Sequence, residues 1–123
     1  MARILVIEDE RDIRDLYRRM LTDAGHIVDV APDGVAALKM VAGSTYDVLL
    51  LDIIMPKKDG IETMAALAKD YPTVKVIIIT GGGLHLDAQD CMDMAKSPQC
   101  VMKLKKPVRE ETLLDAVTKA LLS

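Results

Sequence analysis

The sequence predicts a single α/β domain, a three-layer sandwich in which five helices cover both faces of a five-stranded parallel sheet. Short apolar runs such as residues 4–7 and 48–51 are typical of strands buried on both faces of a parallel sheet. These runs alternate with segments whose apolar residues recur at helical spacing. Because strands joined by helices pair in parallel through right-handed crossovers, the alternation predicts one sheet with helices on both sides.

Length and composition are typical of one domain, which we place at residues 1–123. The chain has 123 residues, of which 50% are hydrophobic, and it contains no Phe or Trp but eight Met, so aliphatic side chains must fill the core. A net charge of -3 without a long basic run argues against nucleic acid or a membrane as a partner. No apolar run approaches the roughly 20 residues of a membrane span, and acidic residues follow Met1 too closely for a signal peptide, so we expect a cytoplasmic protein.

Three strands and two helices are predicted in the first half of the chain. The strands are residues 4–7, 26–31 and 48–51. Apolar residues at helical spacing between positions 13 and 24, closed by Gly25, predict the first helix. The turn Pro32-Asp33-Gly34 begins the second helix, at residues 35–42.

The second half is predicted to add three helices and two strands. Apolar positions between 61 and 68 predict a helix that Tyr71-Pro72 ends, because the residue before proline disfavours helical geometry. Residues 74–79 form the fourth strand, and three glycines then precede a helix at residues 84–95. The fifth strand, at residues 100–104, is expected to alternate, with Cys100, Met102 and Leu104 on one face. An amphipathic helix with apolar positions between 113 and 121, and with Glu110 and Glu111 in its first turn, closes the chain.

Polar side chains follow the predicted strands where they end. Glu8 and Asp9 follow the first strand, and the later strands are followed by Asp52, Thr80 and Lys106. Ligands of open α/β sheets lie at the carboxyl ends of the strands, so we expect these side chains to lie together. Three crowded carboxylates repel one another unless a dication joins them, and an oxygen-lined site suits Mg²⁺. A lysine and a hydroxyl beside them are the groups needed to hold a phosphoryl group.

The same residues carry a resemblance to a known family that spans nearly the whole chain. They lie in the motifs Val6-Ile7-Glu8-Asp9-Glu10, Leu51-Asp52-Ile53-Ile54-Met55-Pro56 with Asp59-Gly60, Ile79-Thr80-Gly81 and Lys106-Pro107. In this order and spacing they resemble the receiver domains of response regulators, the CheY-like proteins of two-component signalling. The resemblance implies a flavodoxin/CheY-like sheet with the strand order 2-1-3-4-5.

The resemblance also implies a role for each site residue. Asp52 is expected to be the phosphoryl acceptor, Lys106 its partner, and Thr80 the hydroxyl that moves to the phosphoryl group. The magnesium ligands are expected to be Asp52, Asp9, Glu8 through water, and Ile54 by its backbone carbonyl. The peptide between Lys106 and Pro107 is expected to be cis.

Three positions depart from the family pattern. Glu8 replaces the commoner Asp, and Val108 replaces the usual aromatic after the proline. Lys103 replaces the aromatic residue whose rotation couples to Thr80 in the family. Because a lysine cannot bury in an apolar slot without losing the hydration of its charge, we expect Lys103 to disfavour the inward position.

The implied function is a phosphorylation switch that is not an enzyme beyond its own phosphoryl transfer and dephosphorylation. Its partners are expected to be a sensor histidine kinase or phosphotransfer protein and a downstream protein target. The alternatives are a phosphorylation-independent interaction module of the same fold, a phosphohydrolase and a flavin carrier. A phosphohydrolase of the haloacid-dehalogenase type needs an acid at the position of Ile54, and the acidic loop Glu8-Asp9-Glu10 would repel a flavin phosphate.

Overall fold

The computed structural model describes residues 1–52, 57–80 and 99–123, without the side chains of residues 57–59 and 80. The strands are β1 (Arg3–Ile7), β2 (Ile27–Ala31), β3 (Val48–Asp52), β4 (Lys75–Thr80) and β5 (Cys100–Lys105). The helices in the described residues are α1 (Arg11–Asp23), α2 (Gly34–Gly43), α3 (Lys57–Asp70) and α4 (Glu110–Leu121). The predicted helix at residues 84–95 lies outside the described residues. Within the part of the chain that is described, no helix is both long enough and apolar enough to cross a membrane.

The five strands form one parallel sheet in the order β2-β1-β3-β4-β5, which confirms the predicted order. In the centre of the sheet Ile4 of β1 lies opposite Val48 of β3, and Ile7 lies opposite Leu51. All five residues of β3 are buried, as the apolar run predicted. Because the strands are parallel, their carboxyl ends meet at one edge of the sheet, the carboxyl edge.

Alternate residues of the central strands enter two separate apolar clusters. Val48 and Leu50 pack in a cluster with residues of the first and last helices, which we call the α1/α4 side. Leu49 and Leu51 pack in a cluster with residues of the other two helices, the α2/α3 side. The sheet is therefore the middle layer of the predicted three-layer sandwich.

Local sequence signals fix the end of α1 but not the start of α3. Gly25 has a φ of 97°, which glycine adopts without steric cost. Gly25 N donates to Thr22 O at 2.9 Å and His26 N donates to Leu21 O at 3.1 Å, the two bonds of a Schellman motif. The third helix begins at Lys57 rather than at position 61. The sequence signal missed its first turn because that turn is polar and shows no apolar periodicity.

A β-bulge interrupts the pairing of β5 with β4. Cys100 pairs with Val76, but the next residue of β4, Ile77, pairs with Met102, so Val101 is an extra residue on β5. Cys100 consequently packs on the α2/α3 side while Met102 packs on the α1/α4 side. The prediction that these two side chains share a face was wrong, because the register of pairing is not visible in the alternation of one strand.

The bulge determines which side chains of β5 point toward the α1/α4 side. Met102 and Leu104 pack there, and Lys106 stands two residues further along the same alternation. Lys103 and Lys105 lie on the opposite face and are exposed, as expected for a lysine at position 103.

Candidate functional site

Three of the predicted site residues, Glu8, Asp52 and Lys106, point to the α1/α4 side at the carboxyl edge. Glu8 stands two residues beyond Val6, and Asp52 stands two residues beyond Leu50, both of which pack on the α1/α4 side. Because side chains alternate along a strand, both carboxylates point to that same side, where Lys106 also points. The bulge in β5 is therefore needed to bring the lysine to the carboxylates.

Lys106 lies between two buried carboxylates. Its Nζ donates to Asp52 Oδ2 at 2.6 Å and lies 3.6 Å from Glu8 Oε2. The side chains of Asp52 and Glu8 are each 1% exposed, whereas that of Lys106 is 21% exposed. The structure thus places Lys106 against Asp52 as predicted. A buried carboxylate without a counter-charge costs several kcal/mol, and here one cation serves two such groups.

The pKa of Glu8 is strongly raised in the folded protein. Burial and the neighbouring Asp52 raise the pKa of Glu8 to about 9, against the opposing effects of Glu10 N–H and Lys106. Glu8 Oε1 accepts a hydrogen bond from Glu10 N at 3.0 Å, but its buried Oε2 has no hydrogen-bond donor among the described residues. Burial lowers the pKa of Lys106, but the hydrogen bond and charge of Asp52 outweigh it, so the net direction is upward.

The donor set at this edge suits a hard dication. Carboxylate oxygens are the ligands that Mg²⁺ prefers, and Oε2 of Glu8, which accepts no hydrogen bond from the described residues, lies beside Asp52 and Lys106. Asp9, the third predicted carboxylate, is exposed in the loop after β1. Within the described ranges, no three His, Cys, Asp or Glu residues lie close enough together to hold a metal ion. The pair of Glu8 and Asp52 fits Mg²⁺, and the role of Asp9 stays a prediction.

Two other predicted site residues fall partly or wholly outside the described residues. Ile54 is outside them, and so is the side chain of Thr80. The backbone of Thr80 ends β4 opposite Lys105, next to Lys106. The peptide between Lys106 and Pro107 is cis, as predicted.

Helix α1 contributes two residues, Arg14 and Tyr17, on the side of the sheet that carries the site, and the sequence did not connect either with it. Arg14 Nη1 donates to the backbone oxygen of Glu8 at 3.1 Å and so ties the helix to the end of β1. Tyr17 is only 4% exposed and packs on the α1/α4 side. The apolar periodicity of α1 includes Tyr17 and shows that it is buried, but not which end of the sheet it approaches.

Known proteins resemble this chain in sequence and in structure. The family model of the response regulator receiver domain matches residues 4–118. Response regulator MprA of Mycobacterium ulcerans is 40% identical over 79 residues, which are 64% of this chain and 34% of that protein. The chain thus spans about a third of the length of the curated relatives that it matches. A receiver domain protein from Clostridium thermocellum, 30% identical with a TM-score of 0.85, matches over 99% of this chain and 95% of its own. TrrA from Thermotoga maritima, solved in complex with Mg(2+)-BeF, is 31% identical with a TM-score of 0.81, over 98% of this chain and 100% of its own.

Proposed function

Because the chain belongs to the response regulator receiver family, we propose that it accepts a phosphoryl group on Asp52 and thereby switches a surface that binds a downstream protein. The observation that carries this proposal is the buried Asp52 carboxylate, held 2.6 Å from Lys106 Nζ at the carboxyl edge. The donor is a sensor histidine kinase or a phosphotransfer protein in the cytoplasm. The chain catalyses only its own phosphoryl transfer and dephosphorylation and acts on no other substrate.

In this proposal the Asp52 carboxylate attacks the phosphorus of a phosphohistidine in line with the P–N bond. As the new O–P bond forms, the P–N bond breaks and its electron pair passes to the imidazole, which takes a proton from solvent. Asp52 is suited to the attack because Lys106 fixes one of its oxygens and limits the orientations of the carboxylate. The same ammonium lies where negative charge gathers on the transferred group, and it stabilises that charge.

Asp52, Asp9 and the backbone carbonyl of Ile54 would hold Mg²⁺, with Glu8 acting on it through water, and the ion would supply positive charge to neutralise the phosphoryl oxygens. Support for the ion comes from the donor-free Oε2 of Glu8 and from the Mg(2+)-BeF complex of the T. maritima relative. The Thr80 hydroxyl donates a hydrogen bond to the transferred group. Because Lys103 is exposed and has no ring, the segment after Thr80 carries the change to the surface.

Labelling with a small phosphodonor tests the proposal. The protein is treated with acetyl phosphate and Mg²⁺, and its intact mass and the modified peptide are determined by mass spectrometry. The parent should gain one phosphoryl group on Asp52, and a chelator should prevent the gain. Asp52→Asn should not be labelled.

The matched control is Asp47→Asn. Asp47 immediately precedes β3, the strand that ends at Asp52. It is exposed and accepts a hydrogen bond from Arg3 N at 2.8 Å. This variant should be labelled like the parent. Labelling of Asp52→Asn at the parent's level would show that another residue is the acceptor.

A further inference from the structure

Tyr17 is the one aromatic residue on the side of the sheet that carries the site. The chain has three Tyr and no Phe or Trp. Tyr46 and Tyr71 pack on the α2/α3 side, whereas Tyr17 packs on the α1/α4 side. The ring is nearly completely buried, with 4% of the residue exposed.

The direction of α1 points the Tyr17 side chain toward the carboxyl edge. This helix starts just after β1 ends and runs back along the sheet, so its N-terminus lies at the edge that holds Glu8. Side chains on a helix lean toward the helix N-terminus. Of the two buried residues of α1, Tyr17 and Leu21, Tyr17 is one turn nearer to that edge.

The charges of the site act on the Tyr17 hydroxyl. Burial raises the pKa of Tyr17 to about 12, Lys106 opposes this rise, and Asp52 and Glu8 add to it. Of these three charges Lys106 has the largest effect on Tyr17, and Tyr17 in turn acts on Lys106. A phenol with this pKa stays neutral at physiological pH, so Tyr17 does not add negative charge to the site.

We propose that Tyr17 is a positioning residue for Lys106: its ring confines the aliphatic stem of the lysine, and its hydroxyl oxygen faces the ammonium. Lysine is a flexible side chain that loses considerable rotamer entropy when it is held in one place. Asp52 holds the ammonium at 2.6 Å and Glu8 lies 3.6 Å from it, but these contacts fix only the end of the side chain and leave its aliphatic stem to be confined by packing. This inference rests on the proposed function, in which that ammonium stabilises the transferred phosphoryl group.

Two substitutions separate the ring from the hydroxyl. Tyr17→Phe keeps the ring and should slow phosphoryl transfer from acetyl phosphate about threefold, whereas Tyr17→Leu should slow it about tenfold, the range of one hydrogen-bond-sized interaction. The loss should appear in the rate at saturating donor, with little change in the donor concentration at half-maximal rate. A second readout needs no phosphorylation: NMR of the ¹⁵N-labelled Lys106 ammonium should show greater mobility and faster exchange with solvent in both variants.

Two control variants test whether any loss of buried packing has the same effect, one on the α2/α3 side of the sheet and one a turn after Tyr17 on α1. Tyr46→Phe removes a buried hydroxyl, which donates to Asp29 Oδ2 at 2.7 Å, and Leu21→Val loosens the same face of α1. Neither should alter the ammonium signal of Lys106. If Tyr17→Phe and Tyr46→Phe have the same effect on that signal and on the rate, Tyr17 does not position the lysine.

The parent protein provides a test that does not depend on how the variants fold. Nuclear Overhauser contacts between the Tyr17 ring protons and the Lys106 methylene groups should be strong, and their absence overturns the proposal. Because the NMR readouts use unphosphorylated protein, they decide the role of Tyr17 even if acetyl phosphate fails to label Asp52. A failure of labelling in the parent counts against the proposed function alone.

Discussion

Glu8→Gln should make the protein more stable at neutral and alkaline pH. The substitution removes one of two adjacent carboxylates that are each 1% exposed, and it leaves the contact between Lys106 and Asp52 in place. The amide can still accept the hydrogen bond from Glu10 N. The substitution therefore removes the cost of burying an ionisable group while keeping most of the shape and hydrogen bonding of the side chain.

The expected magnitude follows from the protonation of one group. The pKa of Glu8 is raised from 4.5 in the unfolded chain to about 9 in the folded protein, chiefly by burial. Between these values the folded state binds more protons than the unfolded state, so stability is full below the lower pKa and is lost as pH rises toward the upper one. One proton corresponds to about 1.4 kcal/mol per pH unit. From about pH 5 to about pH 8 the advantage of Glu8→Gln over the parent should grow by roughly 4 kcal/mol.

The assay is urea unfolding followed by circular dichroism at a series of pH values. The parent and Glu8→Gln are compared with Glu10→Gln, which changes an exposed carboxylate two residues away and keeps the backbone N–H that Glu8 uses. Glu10→Gln should follow the parent at every pH. A difference between parent and Glu8→Gln that does not change with pH, or that grows as pH falls, would refute the reasoning.

Three further perturbations test other parts of the structure. Lys106→Met should cost about 3 kcal/mol or more in urea unfolding at pH 8, because it leaves buried carboxylates without their cation, whereas the exposed Lys105→Met should change little. Mg²⁺ should raise the Tm of the parent, a chelator should reverse this, and Asp52→Asn should respond less; an equal response would place the ion elsewhere. His26 Nδ1 accepts from Ala2 N at 3.2 Å, and burial lowers the pKa of His26, so lowering the pH from about 7 to 5 should destabilise the parent relative to His26→Asn; parallel curves would contradict this.

The layer structure could be predicted because the relevant signals are local. A strand buried on both faces is apolar at every position, as residues 48–51 show, and a helix on one face shows an apolar stripe, as α1 does. The strand order came from the family resemblance and was confirmed. The start of α3 was misplaced since its first turn is polar, and propensity without an apolar stripe gives a weak signal.

The carboxyl-edge residues could be predicted because parallel strands all end at the same edge. Glu8, Asp52 and Lys106 meet there, as their positions after three strands indicated. Their geometry could not be predicted in the same way. Which oxygen Lys106 bonds, and how deeply Glu8 is buried, depend on distances between strands that are far apart in the sequence.

The contribution of β5 shows why register limits what a sequence can say about this site. If β5 paired in regular register, with Val101 opposite Ile77 and no bulge, Lys106 would keep the alternation that starts at Cys100, and Cys100 faces the α2/α3 side. The lysine would then point away from Glu8 and Asp52. A bulge is a property of two paired strands, and β4 carries no residue that marks it. The identities of the site residues could therefore be read from the chain, whereas their meeting depends on a one-residue shift that appears only when β5 pairs with β4.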